Sequence, residues 1–177
     1  FKNLDLVDIF KYGFFVLLGG VSVLIVTRID MMMLASLLDL EQVAYYTVAF
    51  FIGNAIMVPS KSISAISLPL ISQACEKNEI DKIQLLYSKS SINQLIIGGL
   101  FFICVWLNID DIFSLLPEKF TVGKYVVLYI GISQLFNLAS GLNGEIIINS
   151  KFYKYDLYSN IFLVFLTIAT NYYFIQK

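Results

Sequence analysis

The chain has 177 residues, of which 58% are apolar and only 14% are charged, and its mean hydropathy is +0.78. Soluble domains are about 45–50% apolar and about 25% charged, so this composition argues against a soluble globule. The net charge is −1 and no basic stripe is present, which argues against nucleic acid as a partner. The chain contains no histidine, which excludes histidine-based catalysis and removes the commonest metal ligand.

Five uncharged stretches are spaced along the chain, and four of them are 19 or 20 residues long. A helix needs about 20 apolar residues to cross the hydrocarbon core of a bilayer, which is about 30 Å thick. The pattern therefore predicts an all-α, polytopic membrane protein with about five transmembrane helices, which we call spans A to E. Their predicted bounds are residues 12–38, 43–72, 91–109, 123–149 and 157–175.

The two ends of the chain suggest that it belongs to a longer protein. The sequence does not begin with Met, and residues 1–11 are amphipathic and charged, unlike a signal peptide. Span E runs almost to the last residue. We therefore expect residues 1–177 to be a single membrane-domain fragment.

The loops predict the orientation in the membrane, because Lys and Arg in short loops concentrate on the cytoplasmic side. One side would hold seven lysines and the other three: Lys2, Lys11, Lys77, Lys82, Lys89, Lys151 and Lys154 against Lys119, Lys124 and Lys177. This predicts a cytoplasmic amino end and cytoplasmic loops between spans B and C and between spans D and E.

Two loops are predicted to be structured. Residues 77–89 have helical apolar spacing and predict a short surface helix before span C. Residues 110–117 predict a short interfacial turn on the outer side.

Three charged residues fall well inside predicted spans, Arg28 and Asp30 in span A and Lys61 in span B, while Lys124 and Glu145 lie towards the ends of span D. Charge at membrane depth costs about 2.5–3.5 kcal/mol on insertion scales, so such residues face protein or water. Arg28 and Asp30 are two residues apart and cannot share one helix face, which makes Lys61 a candidate partner for Asp30. Two interpretations stay open for these residues: a buried clamp between helices, or a cavity that receives an anionic substrate.

Neutral polar residues form a second set, in which Asn54 lies in span B and Gln134 and Asn137 lie in span D. Gln134, Asn137 and Gly141 have the spacing of one helix face. Such a face either hydrogen-bonds a neighbouring helix or lines a wet cavity. Pro59 and Pro69 interrupt span B, as in transporter helices that bend around a cavity. The candidate substrate-binding residues are Arg28, Asp30, Lys61, Asn54, Gln134 and Asn137.

The sequence has no pattern typical of a membrane enzyme. Asp110 and Asp111 are the only adjacent acid pair, and Gly19–Gly20 and Gly98–Gly99 lie inside spans, where they predict close helix packing. Cys75 and Cys104 have no neighbouring cysteine or histidine at a metal-binding spacing. We expect no catalytic residue, no metal and no cofactor.

A series of short motifs carries a family resemblance. In chain order they are Thr27-Arg28-Ile29-Asp30, Leu40-Glu41-Gln42-Val43-Ala44-Tyr45-Tyr46, Leu68-Pro69-Leu70-Ile71-Ser72, Leu116-Pro117-x2-Phe120-x2-Gly123, Asn137-x3-Gly141-x-Asn143 and Asn149-Ser150-Lys151-x-Tyr153-Lys154. With these motifs the chain resembles bacterial polysaccharide-biosynthesis membrane proteins over nearly its whole length. These are the O-antigen-type flippases of the multidrug/oligosaccharidyl-lipid/polysaccharide exporter superfamily.

The resemblance implies a fold of two inverted helical bundles around a central cavity, with this chain at the start of the second bundle. It implies a flippase that moves a lipid-linked oligosaccharide of the undecaprenyl-pyrophosphate type, a precursor of surface polysaccharide such as lipopolysaccharide. The location would be the bacterial cytoplasmic (inner) membrane, with membrane lipids and the remaining helices of the parent protein as partners. The alternatives are a cation-coupled multidrug exporter of the same superfamily and a membrane assembly subunit that does not transport.

Overall fold

The computed structural model describes residues 6–37, 39–150 and 152–175, and every regular element in them is helical. The all-α membrane class is therefore confirmed. Two 3₁₀ turns cover Ala55–Met57 and Glu118–Gly123. The α-helices are α1 (Leu6–Leu37), α2 (Leu40–Asn54), α3 (Val58–Glu76), α4 (Ile80–Leu107), α5 (Ile109–Ser114), α6 (Lys124–Ala139), α7 (Asn143–Asn149) and α8 (Tyr153–Ile175).

Three helical segments of the described chain are long and apolar enough to cross a membrane: Leu40–Glu76, Ile80–Leu107 and Glu118–Ala139. They correspond to spans B, C and D. Helices α1 and α8 occupy the positions of spans A and E, and α1 contains a shorter apolar stretch, Gly13–Ile25. That these two helices also cross the membrane stays a prediction.

The backbone contacts divide the chain into two compact units. Unit 1 comprises Phe1–Asp39 and Ile147–Lys177, and in it α1 packs against α8. The ring of Phe15 meets that of Tyr153 edge to face at 6.0 Å, and the ammonium group of Lys154 lies 5.5 Å from the Phe15 ring. That both units belong to one membrane domain stays a prediction.

Unit 2 comprises Leu40–Ile146 and packs α2 against α6, α3 against α4, and α4 against α6. The turn between α3 and α4 is short because Asn78 adopts a left-handed conformation, with φ of 54°, which asparagine tolerates better than most residues. A connection of this length makes α3 and α4 antiparallel neighbours. The buried core where α2, α5 and α6 meet consists of Ala49, Ile109, Phe113 and Val127.

Close helix packing in unit 2 depends on glycine. A Cβ atom on Gly98 would overlap Leu138, and one on Gly53 would lie 2.7 Å from Cγ2 of Ile130. Gly98 is therefore the packing site that the sequence predicts in span C. Its neighbour Gly99 has nothing within 4 Å of its Cβ position and takes no part in this contact.

Two of the spans are interrupted. Span B is built from α2, a 3₁₀ turn and α3, and Pro59 lies in the first turn of α3, where its missing N–H costs no hydrogen bond. In span D, α6 ends at Ala139, and Gly141 follows it with φ of 58°. The predicted helix face of Gln134, Asn137 and Gly141 is therefore wrong at Gly141, because a left-handed glycine ends a helix.

The region before span C also differs from the prediction. The expected separate surface helix over residues 77–89 and span C form one continuous helix, α4. The serines between Tyr87 and Ile92 do not break it, and the Ser90 hydroxyl donates to the Tyr87 carbonyl at 2.9 Å, inside the same helix. The predicted short element over residues 110–117 is present as α5.

Residues expected on the outer side of the membrane meet at one end of unit 2. The Lys119 ammonium donates to Glu41 Oε1 at 2.9 Å, and Lys124 pairs with Asp110. These pairs tie the start of α2 to the Glu118–Gly123 turn and α5 to α6. Which side of the membrane they occupy stays a prediction.

The orientation predicts opposite labelling of Asp110→Cys and Asn78→Cys in the full-length protein with Cys75→Ala and Cys104→Ala. Helix α4 separates these positions, and its 28 residues span about 42 Å at 1.5 Å per residue. We expect a membrane-impermeant maleimide to label residue 110 in intact cells, and residue 78 only after permeabilisation. Ile97→Cys, in the middle of α4, is the unlabelled control. Labelling of both ends from outside would contradict the orientation.

Candidate functional site

Unit 2 contains a cavity of about 450 Å³ between α3, α4 and the segment that joins α6 to α7. This volume is in the range of small-molecule sites, about 300–1,000 Å³. Most of its lining residues carry polar side chains, and its wall exposes polar and apolar atoms in similar proportion, although α3 and α4 belong to the membrane-crossing segments. The polar lining includes Ser60, Lys61, Ser64, Gln94, Asn137 and Glu145.

The cavity lies beside the two interruptions of the helices. Met57, in the 3₁₀ turn, and Gly141, after the end of α6, both line it. The hydroxyl of Ser91 on α4 donates to the carbonyl of Ala139, which is left free where α6 ends. Interrupted helices are tolerated at membrane depth where the freed backbone is satisfied by neighbours or lines a cavity, and both conditions are met here.

A buried amide forms part of the cavity wall. Gln94 is 2% exposed and Ser60 is 7% exposed, and the Ser60 hydroxyl donates to Gln94 Oε1 at 3.1 Å. Gln94 Nε2 has no hydrogen-bond partner in the described part of the chain. A buried polar atom without a partner costs about 1–3 kcal/mol, so this nitrogen needs an explanation.

Sequence reasoning missed Gln94 because it lies in an uncharged, apolar stretch, next to a second amide, Asn93, and nothing local separates the two. A signal was nevertheless present: Ser90, Gln94 and Gly98 are spaced by four residues, which places them on one helix face. In the structure all three are buried. A row of small or polar residues at this spacing indicates a face turned towards protein.

The predicted neutral residues form a hydrogen-bonded chain between two helices. Asn137 Nδ2 donates to Gln134 Oε1 at 3.3 Å, Gln134 Nε2 donates to Asn54 Oδ1 at 2.7 Å, and Asn54 Nδ2 donates to the Phe50 carbonyl at 2.8 Å. Asn54 and Gln134 therefore join α2 to α6, while Asn137 also lines the cavity. The amides therefore do both things expected of such a polar face: Asn54 and Gln134 hydrogen-bond across two helices, and Asn137 lines the cavity.

The predicted charged residues are divided between the units. Lys61 lies on α3 just past the middle of Leu40–Glu76, and its exposed side chain lines the cavity. Arg28 is exposed on α1 in unit 1. The side chain of Asp30 lies outside the described residues, so its pairing with Lys61 stays a prediction. The substrate-binding role of all six predicted residues likewise stays a prediction.

Among the described residues, no three acidic or cysteine side chains are placed to share a metal ion. The cavity instead offers hydroxyl and amide groups, one ammonium and one carboxylate. Such a lining can bind a polar solute through hydrogen bonds and charge.

A helical membrane chain with a polar cavity between its helices has the architecture of a membrane transporter. The profile of the MatE family matches residues 16–173, and the chain belongs to this family. MatE proteins are membrane exporters, which agrees with the exporter superfamily that the sequence motifs resemble. Comparison with curated proteins and with solved structures gave no match.

The amide chain predicts energetic coupling between Asn54 and Gln134. Replacing either residue by leucine leaves its partner in an apolar environment without its hydrogen bond, so the double replacement should cost less than the sum of the single ones. We expect a coupling free energy of about 0.6–1.7 kcal/mol, the range for hydrogen bonds between membrane helices. Denaturant unfolding of the purified protein in detergent measures it.

The matched control pairs Asn54→Leu with Asn93→Leu, because Asn93 is an exposed amide on α4. These two replacements should be additive within about 0.3–0.5 kcal/mol. A coupling between Asn54 and Gln134 no larger than this control would contradict the inter-helix hydrogen bond.

Proposed function

We propose that the protein to which this chain belongs is a flippase for a lipid-linked oligosaccharide. It moves an undecaprenyl-pyrophosphate-type lipid with its glycan from the inner to the outer leaflet of the bacterial cytoplasmic membrane, for assembly of a surface polysaccharide such as lipopolysaccharide. The observation that carries the proposal is the polar cavity of unit 2 with the Lys61 ammonium on its wall. Membership of an exporter family supports it.

The physical task of such a protein is to keep a glycan and an anionic head group away from hydrocarbon while the lipid tail remains in the bilayer. Moving an unpaired hydroxyl into an apolar medium costs about 4–8 kcal/mol relative to water. Ser60, Ser64 and Asn137 supply hydrogen-bonding groups that offset this cost. Lys61 supplies the positive charge that a pyrophosphate needs.

Arg28 is the second cationic candidate. A guanidinium keeps its charge even when buried, and it binds two phosphate oxygens at once. In our proposal Arg28 meets the pyrophosphate during its passage, and Asp30 is a further residue that contacts the cargo. The competing explanation is a clamp between Arg28 and an acid, without substrate contact.

One observation favours a second function, that of a cation-coupled multidrug exporter. Glu145 lines the same cavity, and an acidic group in a cavity attracts cationic drugs and coupling cations. Among the described lining residues, however, Glu145 alone is acidic, while the neutral hydroxyl and amide groups suit a glycan. The third alternative, an assembly subunit without transport, has no observation in its favour.

Deletion of the gene tests the proposed cargo. We expect undecaprenyl-linked glycan to accumulate on the cytoplasmic side and surface polysaccharide to fall, because the loaded lipid cannot cross the hydrocarbon unaided. Lipid extraction with mass spectrometry and surface glycan staining measure both, and the restored gene is the control. Drug sensitivity with normal surface glycan would contradict the flippase and favour the multidrug exporter.

Charge removal tests the two cationic residues. Lys61→Gln and Arg28→Ala should each slow export of surface glycan about tenfold or more, since hydrogen bonds to charged groups contribute about 1.5–3 kcal/mol. Lys61→Arg and Arg28→Lys keep the charge and should retain part of the activity. Lys82→Gln is the matched control, because Lys82 pairs with Glu79 outside the cavity.

A clamp predicts a different outcome for Arg28. If Arg28 only pairs with Asp30, exchanging the two charges in one variant should preserve transport, whereas substrate contact requires that this exchange fail. Membrane abundance is measured in every variant. Full transport by Lys61→Gln and Arg28→Ala at normal abundance would contradict both assignments.

A further inference from the structure

The amide of Gln94 is incompletely hydrogen-bonded although it is almost fully buried. It lies at the middle of α4, on the wall of the cavity, and its Oε1 accepts from Ser60 while its Nε2 has no partner among the described residues. One polar atom of this buried amide, the donor Nε2, therefore remains without a partner within the described chain.

Holding two helices together does not explain this arrangement. In the amide chain of the same unit, the side-chain nitrogens of Asn54, Gln134 and Asn137 all donate to acceptors. A residue that served only to join α3 to α4 would be expected to satisfy its polar atoms in the same way. Because an apolar side chain of the same shape would fill the place without an unpaired atom, the amide points to a partner that enters the cavity.

The chemistry of the position indicates the kind of partner. Ser60 and Gln94 are neutral, and the exposed Lys61 side chain is turned about 100° from Ser60 around the helix. A phosphate only accepts hydrogen bonds and would lack a counter-charge at this buried point. A hydroxyl both donates and accepts, so it pairs with whichever end of the amide is free.

We infer that Ser60 and Gln94 form a binding point for a sugar hydroxyl of the cargo, separate from the cationic contact to its pyrophosphate. This inference rests on the proposed function and names the part of the cargo that these two residues recognise. Gln94 contacts the glycan directly, and the Ser60 hydroxyl holds the amide in position. The cavity volume of about 450 Å³ leaves room for sugar units beside them.

The experiment compares two probes on the purified full-length protein: undecaprenyl pyrophosphate without glycan, and the lipid-linked oligosaccharide isolated from the deletion strain. Gln94→Met preserves the shape of the side chain and removes its hydrogen bonds. We expect it to weaken binding of the lipid-linked oligosaccharide about tenfold and to leave binding of undecaprenyl pyrophosphate unchanged. Ser60→Ala should weaken binding of the lipid-linked oligosaccharide to a smaller extent. Asn93→Met, at an exposed amide on α4, should change the binding of neither probe.

The outcomes separate this inference from the proposed function. If the wild-type protein binds neither probe, the proposed function fails and the inference fails with it. If the wild type binds both probes and Gln94→Met weakens both equally or neither, the inference alone is overturned. Thermal unfolding adds a readout for a structural role: a helix-joining Gln94 predicts lower stability for Gln94→Met with unchanged preference between the probes.

Discussion

The absence of water from the hydrocarbon core is the constraint on which this structure depends. Every backbone N–H and C=O at membrane depth must find a partner inside the protein, which leaves helices as the only element open to a chain of this composition. The same constraint governs the two interruptions of unit 2. At the first, Val58 N–H donates to the Ala55 carbonyl, and at the second, Ser91 donates to the carbonyl of Ala139. The first interruption thus keeps its hydrogen bond within its own 3₁₀ turn, the second uses a hydroxyl of a neighbouring helix, and the cavity lies beside both.

The same constraint divides the buried polar side chains into those that are hydrogen-bonded to a neighbouring helix and those that keep an unpaired polar atom. Asn54 and Gln134 hydrogen-bond to each other and join α2 to α6, so these polar groups are already paired within the protein. Gln94 is more deeply buried than either of them but keeps its Nε2 unpaired among the described residues. Polar residues that look equivalent in the sequence therefore have different capacities to bind a solute, and the difference lies in whether a neighbouring helix already occupies their hydrogen-bonding groups.

The sequence predicted what depends on composition and local chemistry. Uncharged stretches located the three membrane-crossing segments, and Pro59 marked the interruption of span B because it lacks an N–H. The second predicted interruption, at Pro69, is wrong, since Pro69 lies inside the continuous helix α3. Features that depend on distant partners were not predictable. Ser60 and Gln94 are 34 residues apart in the chain, and the end of α6 depends on the left-handed backbone of Gly141 beside Ser91. The continuity of α4 was missed because a change from amphipathic to apolar patterning suggests two elements, although no residue between them breaks a helix.

The balance of neutral and charged groups in the cavity bears on how a transporter releases what it binds. A wall of full charges would hold an anionic head group tightly and pay a large desolvation cost in the empty state. Hydroxyl and amide groups exchange hydrogen bonds with water and with sugar hydroxyls at similar free energy, so a glycan can enter and leave without a deep energy minimum. In the flippase that we propose, the Lys61 ammonium adds a charged contact for the pyrophosphate to this largely neutral set of side chains. For such a cargo an amide at Gln94 suits release better than a further lysine, which would hold the anionic substrate more tightly.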